Sequence, residues 1–177
     1  MQPRTICLLI SVLAVVALAP MAEAACTDAA GPGVEWRRCF LDGSDLSGAD
    51  LNGADLRDSS FKRSDFDGAT LAHMQGRRAK FVSSSLQHVD FTGADLVQAD
   101  FTSADLTGAV LVGATLRGAR LYDANLSGAD LTDAVLEGAD LLRANLSGAR
   151  WTDGKTICGE GSVGRCHPGG TGAKVQG

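Results

Sequence analysis

The sequence predicts an all-β solenoid, a chain wound into stacked coils of very short strands. Three observations predict it. Every fifth residue from Leu41 to Trp151 is a large apolar side chain in unbroken register, giving 23 consecutive units whose centre is Leu, Phe or Trp in all but one, where Gly76 stands. Two residues before each centre sits a small residue, Ala in 16 of the 23 units. Two residues after it, Gly occurs in 11 of the 23. A fixed period of this kind marks a repeat architecture.

Each element of the unit has a physical reason. The small residue and the centre are two apart, so they share one face of an extended segment. The other three positions are mostly Asp, Asn, Ser, Thr, Arg and Gly, and they face outward. Gly accepts the positive φ that one class of tight turn requires. A chain that turns every five residues must coil, and each coil must stack on the last to pair its backbone and bury its centre. A helix does not fit, because a spacing of five advances about 500° around a helical axis and would scatter the leucines over every face.

The unit A-(D/N)-L-x-G, as in Ala49-Asp50-Leu51-Asn52-Gly53 and Ala129-Asp130-Leu131-Thr132-Asp133, resembles the repeat of the pentapeptide-repeat family over residues 39–153. The resemblance implies a right-handed quadrilateral β-helix with four units per coil. About six coils would follow, roughly 28 Å of rod at the usual inter-strand spacing. Twenty-residue coils would stack Phe61, Phe81 and Phe101 up one side and place Asn125 under Asn145. One unit departs from the pattern, with Met74 where a small residue belongs and Gly76 where a large one belongs. Met adapts to irregular gaps, so the expectation is that Met74 fills the space Gly76 vacates; the competing reading is a bulge that marks a binding site.

The ends carry the signals of compartment. Residues 1–24 read as a secretory signal peptide, with Arg4 in the positive segment, an apolar run from Ile6 to Leu18 and Ala22-Glu23-Ala24 before the cleavage point. The expected location is periplasmic or secreted. That run is too short to span a bilayer. Cys26 raises lipidation, but Glu23 stands where such a processing site takes an aliphatic residue. Cleavage leaves Cys26, Cys39, Cys158 and Cys166, an even number that reads as disulfides. Three pairings are open; Cys26–Cys39 with Cys158–Cys166 would staple the two ends, where a solenoid has an uncovered face. The stretch from Trp151 through Cys158 to Cys166 resembles a cysteine-bearing end that follows exported pentapeptide arrays. The expected organisation is a signal peptide (1–24), an N-terminal cap (25–38), the β-helix (39–153), a disulfide-bonded C-terminal cap (154–166) and a disordered tail (167–177).

The net charge of −5 disfavours nonspecific binding to nucleic acid or anionic membranes. Sorted by side, the outward residues are unequal. The side centred on Leu46, Phe66, Leu86 and Leu106 carries Asp45, Asp65, Asp67 and Asp105 with no Lys or Arg. The next carries Asp50, Asp90, Asp130, Asp133 and Asp153 against Arg150. The other two mix signs, with Arg57, Arg77, Arg78 and Arg117 on one and Lys62, Arg63, Lys80, Arg120 and Arg143 on the other. Asp before the centre can also serve the backbone alone, by accepting local hydrogen bonds. Val82, Tyr122 and Leu142 share one outward column and form the candidate interaction surface, with Val110 and Val112 on another side.

No catalytic constellation emerges. His73, His88 and His167 lack further ligands, the glycine spacing does not match a phosphate loop, and the many Asp, Ser and Thr arise from the repeat. The expectation is a non-enzymatic protein without cofactor, nucleic acid or transmembrane segment: a structural or protein-interaction scaffold of the envelope whose protein partner the sequence does not name. The alternative is a DNA mimic. Some members of the family resemble duplex DNA in shape and charge and bind DNA gyrase, and the acidic half of the rod invites the comparison. An export signal, two sides studded with Arg and Lys, and the lack of a helical segment after Trp151 speak against it.

Overall fold

The computed structural model describes residues 26–169. The expected signal peptide (1–24) and the tail beyond Gly169 lie outside these residues.

The backbone does the same thing every five residues. The carbonyl of each central residue accepts the N–H three residues on, as in Ala49 N–H to Leu46 O at 3.1 Å. The residue two after the centre takes a positive φ, which defines a type II turn. Glycines such as Gly113 (φ 65°) and Gly128 (φ 68°) do so without strain. Twelve non-glycine residues, among them Arg63, His73 and Ser103, adopt the same geometry at the same position, with φ of 55–66°. An isolated chain would avoid this conformation; here hydrogen bonds to both neighbouring coils impose it.

Between turns the residue before each centre forms a parallel bridge. All twenty parallel bridges join residues i and i+20, from Glu35↔Asp55 to Asp130↔Arg150. Twenty residues therefore make one coil, and the bridges form four columns, one per side. The first side is centred on Phe61, Phe81 and Phe101, the second on Phe66 and Leu86, the third on Leu71 and Phe91, and the fourth on Leu56 and Leu96. The fold is a four-columned β-helix whose strands are single bridges.

The interior is a dry stack of like on like. Phe61 and Phe81 lie 5.6 Å apart and nearly parallel, as do Phe81 and Phe101 at 5.1 Å. Phe66 from the second side and Phe91 from the third meet this stack edge-on. The expected Asn step is present, with Asn145 Nδ2 donating to Asn125 Oδ1 at 3.1 Å. Each buried Leu or Phe contributes roughly 1.5–3 kcal/mol.

The irregular unit is a compensated one. Met74 is buried, and a Cβ built on Gly76 would lie 2.6 Å from Met74 Cε and 3.1 Å from Leu96 Cδ2. Met74 thus occupies the volume of the missing large residue. The bridge column runs through undisturbed from Asp55 to Gln75 to Asp95, so there is no bulge.

Both ends are stapled, by Cys26–Cys39 and Cys158–Cys166. The repeating conformation extends upstream of Leu41 into the segment expected as the cap. Trp36 is buried in a central position, Glu35 bridges Asp55, and Val34 N–H closes a turn onto Gly31 O. At the other end the chain reverses and lays antiparallel segments on the last coil, with Ile157 bridging Arg150 and Val163 bridging Asn145. His167 to Gly169, expected in the tail, belong to this cap instead. Gly159 N–H donates to His167 O at 2.7 Å and Gly169 N–H to Ile157 O at 2.8 Å. The Cys158–Cys166 disulfide closes a hairpin, and its return strand runs on past Cys166.

Met74→Ala should destabilise the protein by about 2–5 kcal/mol, the usual cost of an emptied core position. Gly76→Leu alone should also destabilise it by overpacking. The double variant Met74→Ala/Gly76→Leu restores the regular unit and should recover most of the loss. Denaturant unfolding of the three variants checks this, and strictly additive losses would refute the compensation.

Candidate interaction surface

The outward Asp and Asn residues are first of all structural. The N–H one residue after each centre points outward and takes no part in the ladder. The carboxylate or carboxamide just before the centre accepts it: Thr92 N–H to Asp90 Oδ1 at 2.8 Å, Thr102 N–H to Asp100 at 3.0 Å, Ser127 N–H to Asn125 at 3.2 Å. At most Thr and Ser that follow a centre, the hydroxyl donates to the same oxygen, as from Thr92 at 2.6 Å. Where Ser replaces Asp in the column, an Asp of the preceding coil takes over. Asp42 accepts the Ser60 hydroxyl at 2.6 Å and Lys62 N–H at 2.9 Å, and Asp67 does the same for Ser85 and Gln87. The recurring A-D-L-T motif is thus explained by backbone satisfaction.

On the first and fourth sides charge is paired between coils. Among the described residues seven of the eight ion pairs join residues 18 or 20 apart, six on these two sides, including Arg78–Asp58 at 2.6 Å, Arg120–Asp100 at 2.9 Å and Arg143–Asp123 at 3.1 Å, and Arg150–Asp130 on the third. Most are solvent-exposed and individually weak. Asp55 is the exception. It is buried and held between Arg57 and Arg37, each at 2.6 Å. The hydrogen bonds from Arg57, then Arg37, keep its carboxyl far below the usual range against the opposing effect of burial. At the C-terminal turn, the Thr156 hydroxyl and then the N–H groups of Thr156 and Lys155 push Asp153 down to about 2.

The second side keeps its acidic column without a cation: Asp45 bridges Asp65, and Asp105 gathers Thr107, Gln87 and Asn125. His73 and His88 project from different corners, and each imidazole lies over a glycine of the next coil. A Cβ on Gly93 would meet His73 Nδ1 at 2.7 Å, and one on Gly108 would meet His88 Nδ1 at 2.5 Å. No group of three or more metal-binding side chains occurs among the described residues. An open groove runs along the corner of the fourth and first sides, between Arg78, Lys80, Gln98, Asp100 and Arg120.

The three apolar residues singled out in the sequence lie in one column of the first side. Val82 and Tyr122 are half-buried, Leu142 is exposed, and Arg143 lies 5.8 Å from the Tyr122 ring centre. The sequence reading does not single out Phe40, which is 83% exposed at the N-terminal end of the same side. Its signal was present: an aromatic residue stands at a bridge position that elsewhere takes mostly Asp, Asn, Ser or Thr.

The pentapeptide-repeat model matches in eight copies over residues 33–63, 59–98, 84–121 and 119–150. The chain belongs to the pentapeptide-repeat family. Its repeat implies a right-handed β-helix, in keeping with the bridge columns. Solved structures with the repeat are similar to this chain. One is a trypsin-treated form of QnrB1, described as a plasmid-mediated fluoroquinolone resistance protein, at 20% identity over 73% of this chain and 79% of that one, with a TM-score of 0.49. Another trypsin-treated form of QnrB1 gives 22% identity and a TM-score of 0.42, and there this chain spans 63% of the matched chain and is itself covered over 67%. A pentapeptide repeat protein of the Arabidopsis thaliana thylakoid lumen shows 27% identity over 74% of this chain and 86% of its own, with a TM-score of 0.36. No curated protein matches the sequence.

Asp55 titrates below its unfolded value near 3.9, so its contribution to stability is complete above that value and lost as pH falls through the folded one. The melting temperature should be nearly flat from about pH 7 to 5 and drop below about pH 4. Asp55→Asn should lower stability at neutral pH, because Arg37 and Arg57 lose their shared partner, and should shallow the acid drop. Circular dichroism melts across that range check both, and an unchanged acid slope would exclude the assignment.

Proposed function

We propose that the repeat rod is a non-enzymatic protein-interaction scaffold of the cell envelope, about six coils long at roughly 4.8 Å per coil. Export through the segment at 1–24 would deliver it to the periplasm or medium. Two disulfides suit an oxidising compartment. The observation that carries the reading is the column of Val82, Tyr122 and Leu142 on a backbone fixed in position by cross-coil pairing. Such a surface needs no rearrangement to bind, so little ordering entropy opposes association. Crosslinking in an envelope fraction should enrich a protein partner, and Tyr122→Ser/Leu142→Ser should abolish that enrichment without lowering the melting temperature. Equal capture by the variant would exclude the column.

The acidic second and third sides favour a second reading, a DNA mimic that acts on DNA gyrase. Asp45 stacks on Asp65 at the strand spacing, and Asp50, Asp90 and Asp130 recur two coils apart on the third side. QnrB1 is by its description a fluoroquinolone resistance protein. The Lys and Arg on the first and fourth sides stand against this reading. A supercoiling assay with purified gyrase separates the two: inhibition at micromolar protein favours mimicry, and unchanged supercoiling removes it.

A further inference from the structure

The overall charge of −5 conceals a strong local inequality. Over the first three coils, the first and fourth sides together (residues 35–43, 55–63 and 75–83) carry eight Lys and Arg against four Asp and Glu, a net of +4. The opposite sides of the same coils (residues 44–54, 64–74 and 84–94) carry five Asp and no Lys or Arg. The rod is therefore polarised across its width at the N-terminal end.

Within the basic half, Arg38, Lys62, Arg63 and Lys80 take part in no ion pair among the described residues. The acids nearest to them are already engaged, Asp42 with Ser60 and the Lys62 N–H, Asp58 with Arg78. Phe40 lies among these cations. It bridges Ser60, and Ser60 bridges Lys80, so Phe40 and Lys80 are two strand spacings apart, roughly 9.6 Å. Phe40 has the largest exposure among the exposed large apolar residues, at 83%. Its backbone is anchored beside the Cys26–Cys39 disulfide, so the ring is presented by a fixed support. An exposed aromatic ring on a side whose nearby cations make no ion pair matches the layered chemistry of a lipid surface, apolar below and anionic above.

We propose that this N-terminal end of the first side docks onto a bilayer bearing anionic headgroups. Phe40 enters the boundary between headgroups and acyl chains, and Arg38, Lys62, Arg63 and Lys80 face the phosphates. A polyanion without apolar or stacking groups, such as a sulfated polysaccharide, would engage the cations but has no use for the ring. The site does not involve Tyr122 or Leu142 and does not rest on the protein-scaffold reading.

The test is co-sedimentation of the purified disulfide-bonded protein with vesicles of phosphatidylcholine alone or with about one-third phosphatidylglycerol. The expected result is binding to the anionic vesicles only, weakened roughly fivefold for each cation neutralised among Lys62, Arg63 and Lys80. Phe40→Ser, at an exposed site, should weaken it at unchanged melting temperature. Phe40→Trp should give emission that shifts to the blue on anionic vesicles and is quenched by brominated lipid. Absent binding, equal binding to both vesicle types, or a Phe40→Trp spectrum that vesicles leave unchanged would overturn the proposal. So would binding to dextran sulfate combined with vesicle binding that Phe40→Ser leaves intact, which would make the patch a plain polyanion site.

Discussion

Everything in this molecule depends on the pairing of residue i with residue i+20 through backbone hydrogen bonds. The strands are one bridge long, far too short to persist alone. They exist because each N–H and carbonyl that leaves the turn meets a partner one coil away, as Leu46 N–H meets Asp65 O and Asp65 N–H meets Ser44 O. The same pairing fixes a positive φ at residues as ill-suited as Arg78 and His88. It also aligns every inward position into a column, so that phenylalanine lies on phenylalanine and alanine on alanine. Local preference is overruled wherever stacking requires it.

That constraint explains how much of the molecule the sequence discloses. A period of five with a small residue two before each centre suffices for the coil, and the spacing of Phe61, Phe81 and Phe101 suffices for its circumference, because inward residues must satisfy both steric demands at once. The two end disulfides lie at the ends of the array, with Cys39 at the small-residue position of its first unit and Cys26, Cys158 and Cys166 outside it. What is harder to read is whatever depends on contacts between coils or beyond the array. The ion pairs at separations of 18 and 20 emerge only once the columns are known. Trp36 occupies a central position, but Gly31 five residues before it hides the register. The pairing of His167–Gly169 with the strand at Ile157 depends on a hairpin whose geometry is set by a disulfide, not by the repeat.

The candidate surface is legible in outline, but its local charge balance is not readable from totals per side. Counting charges by side makes the first and fourth sides look neutral, because Asp and Arg alternate down the columns. Their order along the rod matters more than their number. Arg117, Arg120 and Arg143 toward the C-terminal end are matched by Glu137, Asp100 and Asp123, whereas Arg38, Lys62, Arg63 and Lys80 toward the N-terminal end are not. The acidic sides show the converse. Their many carboxylates look like a functional feature, yet most are occupied with an N–H and often a hydroxyl of their own unit, as at Asp90, Asp105 and Asp130.

The narrow core of this solenoid is filled from end to end by side chains of the repeat. Its inward columns are sealed by Leu, Phe and Ala, and its outward columns are presented at a fixed spacing by a backbone that has no freedom to close around a ligand. Recognition by such a rod must therefore come from what a column displays and where a column changes character. Two such changes occur on the first side. The bridge column passes from an exposed aromatic ring to a run of alternating charges, and the column beside it passes from Asp42 and Lys62 to Val82, Tyr122 and Leu142. Both depart from residues the repeat would supply by default, so neither is explained by the folding constraint that accounts for the rest of the surface.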